Sequence, residues 1–206
     1  MSLPYRIMYA VGLTPWERMA HPLAPVGEQI SRLFAREEGD GQQPLGRALD
    51  LGCGSGIWSV KLAERGWDVT GIDFVPKALR RARKRAEEAG VEVDFIQGDV
   101  TALHESGIGP GFRLLLDFGC FHDGLTDEQR AAEGREVTAV AAPDATLLMV
   151  VWKPAPRRFL PRGASRGEIE AAFPEWKVVD EEAVDLTGAP GFIKKAEPRF
   201  YRLRLV

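Results

Sequence analysis

The stretch ALDLGCGSGIWSVKLAERGWDVTGIDF, residues 48–74, decides the fold of this chain. It opens as an apolar strand, and three glycines follow at alternate positions, Gly52, Gly54 and Gly56, before a helix-like segment begins. Glycine suits these positions because the backbone must turn sharply and pass close to a ligand that a Cβ atom would block. The amide groups at the start of the helix have no partner within the helix and can donate to that ligand.

The spacing of this turn separates it from two common nucleotide-binding loops. A P-loop requires Gly-Lys before Ser or Thr, and the sequence contains no Gly-Lys pair. A dinucleotide-binding turn that starts at Gly52 requires Gly or Ala at position 57, which is Ile57. The pattern is instead an acid followed by three alternating glycines, residues 50–56, and Asp73 ends the next strand 17 residues after Gly56. A carboxylate at that place can accept hydrogen bonds from both hydroxyl groups of a ribose.

Strand-like and helix-like segments alternate through most of the chain, which indicates a parallel sheet built from βαβ units. The predicted strands of this part are Arg47–Leu51, Trp67–Asp73, Val91–Gln97, Phe112–Phe118 and Thr146–Trp152. The predicted helices are Ser55–Arg65, Pro76–Ala89, one that opens at a capping box formed by Thr126 and Gln129, and Arg166–Phe173.

The two ends of the chain depart from this alternation. Two strands, Trp176–Val184 and Phe200–Val206, follow each other with no predicted helix between them, which predicts an antiparallel hairpin at one edge of the sheet. Ahead of the first strand, residues 26–36 predict an amphipathic helix. Its apolar side consists of Ile30, Leu33 and Phe34.

Composition excludes several classes of function. The net charge of −3 disfavours a nucleic-acid-binding protein, because those proteins usually carry a basic excess. Cys53 and Cys120 are the two cysteines, and the absence of a CxxC pair argues against a disulfide framework or a zinc site, so we predict no metal. No apolar run approaches the roughly 20 residues of a membrane helix. We expect a cytoplasmic monomer or homodimer.

The acid-and-glycine turn resembles motif I of the class I S-adenosylmethionine-dependent methyltransferases. Gln97-Gly98-Asp99-Val100, residues 97–100, is similar to the acidic motif that contacts adenine in that family, and Asp117 stands where the family has its motif IV. The matches occur in the family's order over residues 46–122. The resemblance implies an α/β fold, a Rossmann-like three-layer sandwich with a mostly parallel seven-stranded sheet of order 3-2-1-4-5-7-6 and an antiparallel last strand. It also implies a single methyltransferase domain, residues 1–206, with an N-terminal helical cap or lid at 1–40 and a Rossmann-like core at 46–206.

The resemblance assigns S-adenosylmethionine as the cofactor, with S-adenosylhomocysteine as the product, and a small-molecule methyl acceptor as the partner. Asp73 would bind the ribose and Asp99 the adenine amino group, while an acid such as Asp50 would favour the ammonium of the cofactor. Phe74 and Val100 would lie on the two faces of the adenine ring. The expected cofactor-binding residues are Trp16, Asp50, Gly52, Gly54, Gly56, Asp73, Phe74, Asp99, Val100 and Asp117.

Transfer of a methyl group is an in-line displacement at a carbon that the sulfonium already activates, so the protein mainly positions the two reactants. A base is required where the acceptor carries a proton that must leave. His122 is the first candidate, because it follows the carboxyl end of the fourth strand and histidine titrates near neutrality. Asp123 is the second candidate.

The segment Asp117–His122 is also similar to its counterpart in thiopurine- and tellurite-type methyltransferases. Those enzymes place a Trp in an N-terminal segment that closes over the cofactor, and Thr14-Pro15-Trp16-Glu17, residues 14–17, fits that role. The expected acceptor contacts are Tyr5, Tyr9, Cys120 and Trp152.

Three other functions remain open from the sequence. The basic run at residues 77–85 would suit an RNA or protein substrate, but glutamates at 87 and 88 follow four residues after its basic side chains, as on an ordinary solvated helix. A short-chain dehydrogenase would carry a Tyr-x-x-x-Lys pair, which the sequence lacks. A protein that binds the cofactor without catalysis is the third alternative.

Overall fold

The computed structural model describes residues 25–39, 43–122, 125–155, 162–189 and 191–206. Four residues that the sequence analysis assigned to the site lie outside these ranges, and their roles stay predictions. They are Tyr5, Tyr9, Trp16 and Asp123.

Helices and strands alternate as the sequence predicts. The helices are α1 (Pro25–Glu38), α2 (Ile57–Glu64), α3 (Pro76–Ala89), α4 (Asp127–Val140), α5 (Arg166–Ala172) and α6 (Gly191–Lys194). The strands are β1 (Arg47–Leu51), β2 (Asp68–Asp73), β3 (Asp94–Gln97), β4 (Phe112–Asp117), β5 (Ala141–Val151), β6 (Trp176–Ala183) and β7 (Arg199–Leu205). A short 3-10 helix spans Leu103–Ser106.

The seven strands form one sheet with the order β3-β2-β1-β4-β5-β7-β6. Strands β1 to β5 pair in parallel, and β7 lies antiparallel between β5 and β6. The predicted order and the predicted antiparallel hairpin are both confirmed. Because the first five strands run the same way, their carboxyl ends meet at one edge of the sheet, where open α/β folds bind ligands.

Helix ends account for two of the boundary differences. Gly56 adopts a φ of +73° immediately before α2, so this helix begins at Ile57 and not at Ser55 as predicted. The Val91 amide donates to the carbonyl of Ala86 at 3.1 Å and completes the end of α3. The residues from 91 to 93 therefore belong to the helix terminus, and β3 begins later than predicted.

Strand β5 is longer than predicted because it starts beside β4 at Ala141, which pairs with Phe112. The predicted capping box at the start of α4 is confirmed, with the Gln129 amide bonded to the Thr126 hydroxyl and the Gln129 side chain bonded to the Thr126 amide. The predicted loop between the last two strands contains the short helix α6.

Two apolar layers cover the two faces of the sheet. Helices α4 and α5 bury Val137, Ile169 and Phe173 against one face. On the other face, α1 buries the predicted apolar side, formed by Ile30, Leu33 and Phe34, together with Leu114 and Leu116 of β4. The side chains of β4 alternate between these layers, as expected for a strand that is covered on both faces.

Helix α1 is also joined to the sheet by hydrogen bonds. The Gln29 side chain donates to the carbonyl of Ala183 at 2.8 Å and accepts from the amide of Asp185 at 2.8 Å. The described part of the expected cap therefore packs in a layer of the sandwich, while the division of the chain into cap and core stays a prediction. None of the helices in the described ranges is long and apolar enough to cross a membrane.

We expect Gly56→Ala to lower the free energy of unfolding more than Gly90→Ala. Both glycines have positive φ angles, +73° and +67°, and Ala in this conformation costs about 1 kcal/mol. A Cβ atom on Gly56 would also lie 2.9 Å from Cβ of Ala82, whereas one on Gly90 would meet nothing within 4 Å. Overpacking then adds about 1–3 kcal/mol for Gly56→Ala alone, which urea denaturation of both variants measures. Equal losses would contradict a packing requirement at Gly56.

Candidate active site

The glycine turn between β1 and α2 requires glycine partly because of the protein's own packing. Gly52, Gly54 and Gly56 have φ angles of +63°, +54° and +73°, which residues other than glycine rarely adopt. A Cβ atom on Gly52 would lie 2.1 Å from Sγ of Cys120. The sequence pattern indicates that these positions need glycine because a ligand approaches the backbone closely. The structure adds the close contact of the Cys120 sulfur as a second reason.

Asp73 joins the end of β2 to the glycine turn. Its Oδ2 accepts from the Gly54 amide at 2.9 Å, and its Oδ1 accepts from the Val75 amide at 2.7 Å. The side chain is only 6% exposed. Burial raises the pKa of this carboxyl, and the two amides act in the opposite direction. Each oxygen keeps a second lone pair, so the carboxylate can accept further hydrogen bonds from a ligand.

Asp50 lies beneath the same turn with a weaker set of hydrogen-bond donors. Its Oδ2 accepts from the Ser59 hydroxyl of α2 at 2.5 Å. Burial raises the pKa of Asp50 to about 7, the Ser59 hydroxyl lowers it, and the negative charges of Asp73 and Asp117 add to the rise. The carboxyl therefore changes its charge near neutral pH, and a cation bound nearby would favour the charged form.

The loop after β3 holds Asp99 in a turn of its own. Its Oδ1 accepts from both the amide and the hydroxyl of Thr101, at 2.9 and 2.7 Å. Phe74 and Val100, the expected neighbours of the adenine ring, follow β2 and β3, and both are half-buried. Because β2 and β3 pair in parallel, their loops leave the sheet at the same edge.

Asp117 is bonded to the loop that follows its own strand. The carboxylate is fully buried, and it accepts from the amides of Gly119 and Cys120 through Oδ1 and from the amide of Phe121 through Oδ2, at 2.7–2.9 Å. These three bonds fix the loop that follows β4. The structure thus gives Asp117 a role in shaping this loop, and its expected contact with the cofactor stays a prediction.

Another buried carboxyl group, Glu133 of α4, lies close to Asp117. The side chain has no exposed surface. Burial raises the pKa of Glu133 well above its usual range, and the charge of Asp117 and a side-chain contact with it act in the same direction. The site therefore favours the protonated form of Glu133, which can donate a hydrogen bond to the Asp117 carboxylate.

His122 is held at the end of the loop that Asp117 organises. The residue is 4% exposed, and its Nδ1 lies 2.9 Å from the carbonyl oxygen of Val150. A carbonyl oxygen only accepts, so Nδ1 carries a proton, and the neutral imidazole then has its lone pair on Nε2. The ring stacks on Trp152, with 5.5 Å between the ring centroids and an angle of 17°. This arrangement makes Nε2 the basic atom of the side chain.

Cys120 packs into the site without the features of a nucleophile. Its Sγ lies beside Gly52 and donates a weak hydrogen bond to the carbonyl of Leu51 at 3.5 Å. Burial raises the pKa of the thiol well above its usual range, and nearby carboxylates add to the rise. A thiol in this state is a poor nucleophile. The structure therefore brings Cys120 to the glycine turn, as a small half-buried side chain.

The turn, the strand-end acids and the histidine occupy one edge of the sheet in the order β3, β2, β1, β4. A family model described as a methyltransferase domain matches residues 48–144, which contain all of these features. Residues 48–144 thus form a methyltransferase domain, and the chain is similar to the class I S-adenosylmethionine-dependent methyltransferases. The resemblance stated from the glycine turn is thus confirmed, and S-adenosylmethionine is the cofactor of this family.

Two of the curated relatives of this chain are named for reactions of small molecules. The chain is 44% identical over 61 residues to a ubiquinone biosynthesis O-methyltransferase from Azorhizobium caulinodans, which is 30% of this chain and 24% of that protein. The chain thus spans about a quarter of the length of that relative. A 2-heptyl-1-hydroxyquinolin-4(1H)-one methyltransferase from Mycobacteroides abscessus is 29% identical over 175 residues, which cover 82% of this chain and 74% of the relative.

The fold of this methyltransferase is shared with solved structures. The N-methyltransferase NodS from Bradyrhizobium japonicum, in complex with S-adenosylhomocysteine, superposes with a TM-score of 0.72. The two sequences are 18% identical, and the match covers 91% of this chain and 90% of NodS. At this identity the likeness establishes the fold.

Three buried residues of the site were missed by the sequence reasoning. They are Ser59, Arg130 and Glu133. Each lies on a helix that also carries exposed polar residues, so the residue type alone suggests a surface position. Ser59 had one available signal, because it is the one polar residue in the first turn of the helix that follows the glycine turn.

We expect the stability of this methyltransferase to fall with rising pH because of Asp50, and Asp50→Asn to remove that fall. Folding raises the pKa of Asp50 from its ordinary 3.8 to about 7. The native state therefore holds an extra proton between these values, so the contribution of Asp50 to stability is fully present below about pH 4 and is lost as the pH rises to 7. The stability of Asp50→Asn relative to the natural protein should rise over this range by as much as about 4 kcal/mol.

Urea denaturation at pH 5, 6, 7 and 8 measures this difference. Asp68→Asn is the matched control, because Asp68 is an exposed residue at the other end of β2. Its stability should follow that of the natural protein at every pH. If Asp50→Asn did the same, Asp50 would not carry the raised pKa.

Proposed function

We propose that this chain transfers a methyl group from S-adenosylmethionine to a small-molecule acceptor, and that His122 takes the proton that leaves the acceptor. The orientation of the buried imidazole carries this proposal. Because Nδ1 donates to the Val150 carbonyl, the basic nitrogen is Nε2, and the ring is held at the carboxyl edge of the sheet. The acceptor atom is accordingly an oxygen, a nitrogen or a sulfur that bears a proton.

The donor and acceptor groups at the sheet edge fit the cofactor. Asp73 lies at the end of β2 with lone pairs left for two ribose hydroxyls, and Asp99 is held at the end of β3 to accept from the adenine amino group. The cofactor carries positive charge on its sulfonium and ammonium groups. Asp50, whose pKa is raised by burial and by neighbouring carboxylates, would become fully charged beside such a cation.

The glycine turn and two half-buried apolar side chains complete the proposed cofactor site. The backbone of residues 52–56 would face the amino-acid and ribose parts of the cofactor, and Phe74 and Val100 would lie on the two faces of the adenine. Asp117 shapes this site through the loop that it anchors.

The bound cofactor supplies an activated methyl group and its own leaving group, so the side chains have two tasks. The first is to hold the acceptor atom in line with the methyl carbon, because alignment provides most of the acceleration in such a reaction. The second is to remove the acceptor proton, which His122 performs through Nε2. Trp152 stacks on the imidazole and limits the rotation of that ring.

A small acceptor is favoured over a nucleic acid by the contacts of the basic run on α3. Arg83 donates to the Phe95 carbonyl at 2.6 Å, Arg85 donates to the Ser55 carbonyl at 2.9 Å, and Lys84 pairs with Glu88. These contacts bind part of the run to the protein itself. The names of the relatives, a quinolone methyltransferase and ubiquinone biosynthesis enzymes, favour a small aromatic acceptor.

We expect S-adenosylhomocysteine to bind the purified protein with micromolar affinity and Asp73→Ala to weaken this binding about 100-fold. The variant removes the carboxylate that would accept hydrogen bonds from two ribose hydroxyls, each worth about 1.5–3 kcal/mol, so about 100-fold is the lower limit of the expected loss. Calorimetry with S-adenosylhomocysteine and, separately, with NAD makes the measurement. Asp68→Ala, at the opposite end of the same strand, is the matched control and should bind as the natural protein does.

The loss of the Gly54 and Val75 contacts in Asp73→Ala also affects the turn, so thermal denaturation must first show that the variant is folded. Binding of NAD without binding of S-adenosylhomocysteine would overturn the proposed cofactor site and favour the dehydrogenase alternative.

We expect His122→Asn to lower kcat/KM by about 10²–10⁴-fold, the usual contribution of a positioned base. The Asn amide can still donate to the Val150 carbonyl, but it has no basic nitrogen. The assay measures methyl transfer from S-adenosylmethionine to a panel of phenols, hydroxyquinolones, amines and thiols, starting with 2-heptyl-1-hydroxyquinolin-4(1H)-one. Asp123→Asn, tested in parallel, examines the second candidate base.

The affinity for S-adenosylhomocysteine should stay unchanged in His122→Asn, because the imidazole acts on the acceptor. Full turnover by this variant would remove His122 from the mechanism. Tight cofactor binding with no transfer to any member of the panel would favour the alternative of a binding protein without catalysis.

A further inference from the structure

We propose that Arg130 is a positioning residue for His122. The buried guanidinium of Arg130 joins the loop after β4 to the segment before α5 and so sets the orientation of the His122 imidazole. The inference rests on the proposed function, because it concerns the base that we assign to methyl transfer. Arg130 lies in the first turn of α4.

The guanidinium of Arg130 makes three hydrogen bonds to three separate segments. Its Nε donates to the Phe121 carbonyl at 3.0 Å, its Nη2 donates to the Gly163 carbonyl at 2.8 Å, and its Nη1 donates to Oε1 of Glu168 at 3.0 Å. The side chain is 2% exposed, and its Cζ lies 4.9 Å from the centre of the Phe121 ring. A planar group with several fixed donors can hold three acceptors at once, which a lysine ammonium does not reproduce.

These bonds are part of a hydrogen-bond network that encloses His122. The Phe121 carbonyl belongs to the peptide that joins Phe121 to His122, so Arg130 holds the histidine from its amino side. On its other side, the His122 carbonyl accepts from the Gly163 amide at 3.1 Å. Gly163 therefore binds Arg130 through its oxygen and His122 through its nitrogen. Movement of the loop after β4, or of the segment that contains Gly163, changes the position of the imidazole relative to the carbonyl of Val150.

The residue after Gly163 adds a second contact to this hydrogen-bond network. The Ala164 amide donates to the Trp152 carbonyl at 2.9 Å, and the Trp152 side chain stacks on His122. Gly163 has a φ of +79°, and a Cβ atom there would lie 2.5 Å from the carbonyl oxygens of Trp152 and Lys153. The close approach that allows this contact thus depends on glycine.

Glu168 fixes the direction of the guanidinium. Its Oε2 accepts from the amide and the hydroxyl of Ser165, both at 2.8 Å, as part of the capping box of α5. Its Oε1 accepts from Arg130 and also from Arg162, at 3.0 and 2.9 Å. Burial of a cation is unfavourable unless a partner and hydrogen bonds compensate for it, and Arg130 has both.

A purely structural arginine and a positioning arginine give different results in a folded variant. If Arg130 contributes stability alone, its replacement lowers the melting temperature and leaves the imidazole of His122 unchanged in the folded molecules. If Arg130 positions His122, a folded variant has lost part of the hydrogen-bond network around His122, and the hydrogen bond between Nδ1 and the Val150 carbonyl weakens. The tautomer of the imidazole then changes, because that bond selects the form with the proton on Nδ1.

The experiment compares the imidazole nitrogens of His122 in the full-length ¹⁵N-labelled protein and its variants by long-range ¹H–¹⁵N correlation spectra. His122→Asn assigns the signals among the three histidines of the chain. The natural protein should show His122 in the Nδ1–H form. In Arg130→Lys this form should fall toward a mixture of both tautomers, while His104, whose Nδ1 contacts Glu136 of α4, keeps its signals.

Arg162→Gln is the matched control. Arg162 binds the same Oε1 of Glu168 and is half-exposed, but it makes no hydrogen bond to the Phe121 or Gly163 carbonyl in the described contacts. Its His122 signals should equal those of the natural protein. Glu168→Gln is the second variant if Arg130→Lys does not fold, because it removes the negative charge that compensates the buried guanidinium and leaves Arg130 in place. It should shift His122 in the same direction.

Unchanged His122 signals in folded Arg130→Lys, or in folded Glu168→Gln where the first variant does not fold, would overturn the proposal. The tautomer is read without cofactor or acceptor, so a failure of the proposed methyl transfer is seen separately, as a lack of S-adenosylhomocysteine binding or of turnover. With an acceptor in hand, Arg130→Lys should lower kcat about 10- to 100-fold, with the affinity for S-adenosylhomocysteine within about twofold of the natural protein.

Discussion

A carboxylate buried at the end of a strand must be given hydrogen-bond donors, and this constraint organises the edge of the sheet. Asp73 takes backbone amides from the glycine turn and from the start of α3, and Asp117 takes three amides from the loop after β4. The acids therefore shape the loops that surround the ligand. Asp50 receives a single hydroxyl from Ser59, and this difference in donors accompanies its raised pKa.

The site divides into two halves that are stabilised in different ways. In the cofactor half, neighbouring parallel strands place short loops side by side, and local bonds between carboxylates and amides fix their shape. In the proposed acceptor half, His122 is held by Val150 and Gly163 and, through the Phe121 carbonyl, by Arg130, which come from three other segments. The two halves meet where Cys120, two residues before His122, packs against Gly52 of the glycine turn.

The family model matches the whole of the proposed cofactor half and part of the proposed acceptor half. The methyltransferase domain that the chain shares with its family covers residues 48–144, which include the glycine turn, both strand-end acids and His122. Val150, Trp152, Gly163 and the two antiparallel strands follow that region. Methyltransferases bind one cofactor and many acceptors, so the segments that surround the acceptor are the ones in which a shared fold accommodates different chemistry.

The sequence by itself determined the alternation of strands and helices, the capping box of α4, the ends of α3 and, through the family resemblance, the order of the sheet. Those features depend on neighbouring residues, such as Pro76 at the start of α3 and Gly90 at its end. The tertiary structure alone decided that Asp117 anchors a loop, that Gly52 accommodates the sulfur of Cys120, and that Arg130 lies buried beside the chain that carries His122. Each of these contacts joins segments that the sheet brings together from distant parts of the sequence. A residue's type does not show which distant group it will meet, because the topology of the sheet decides that.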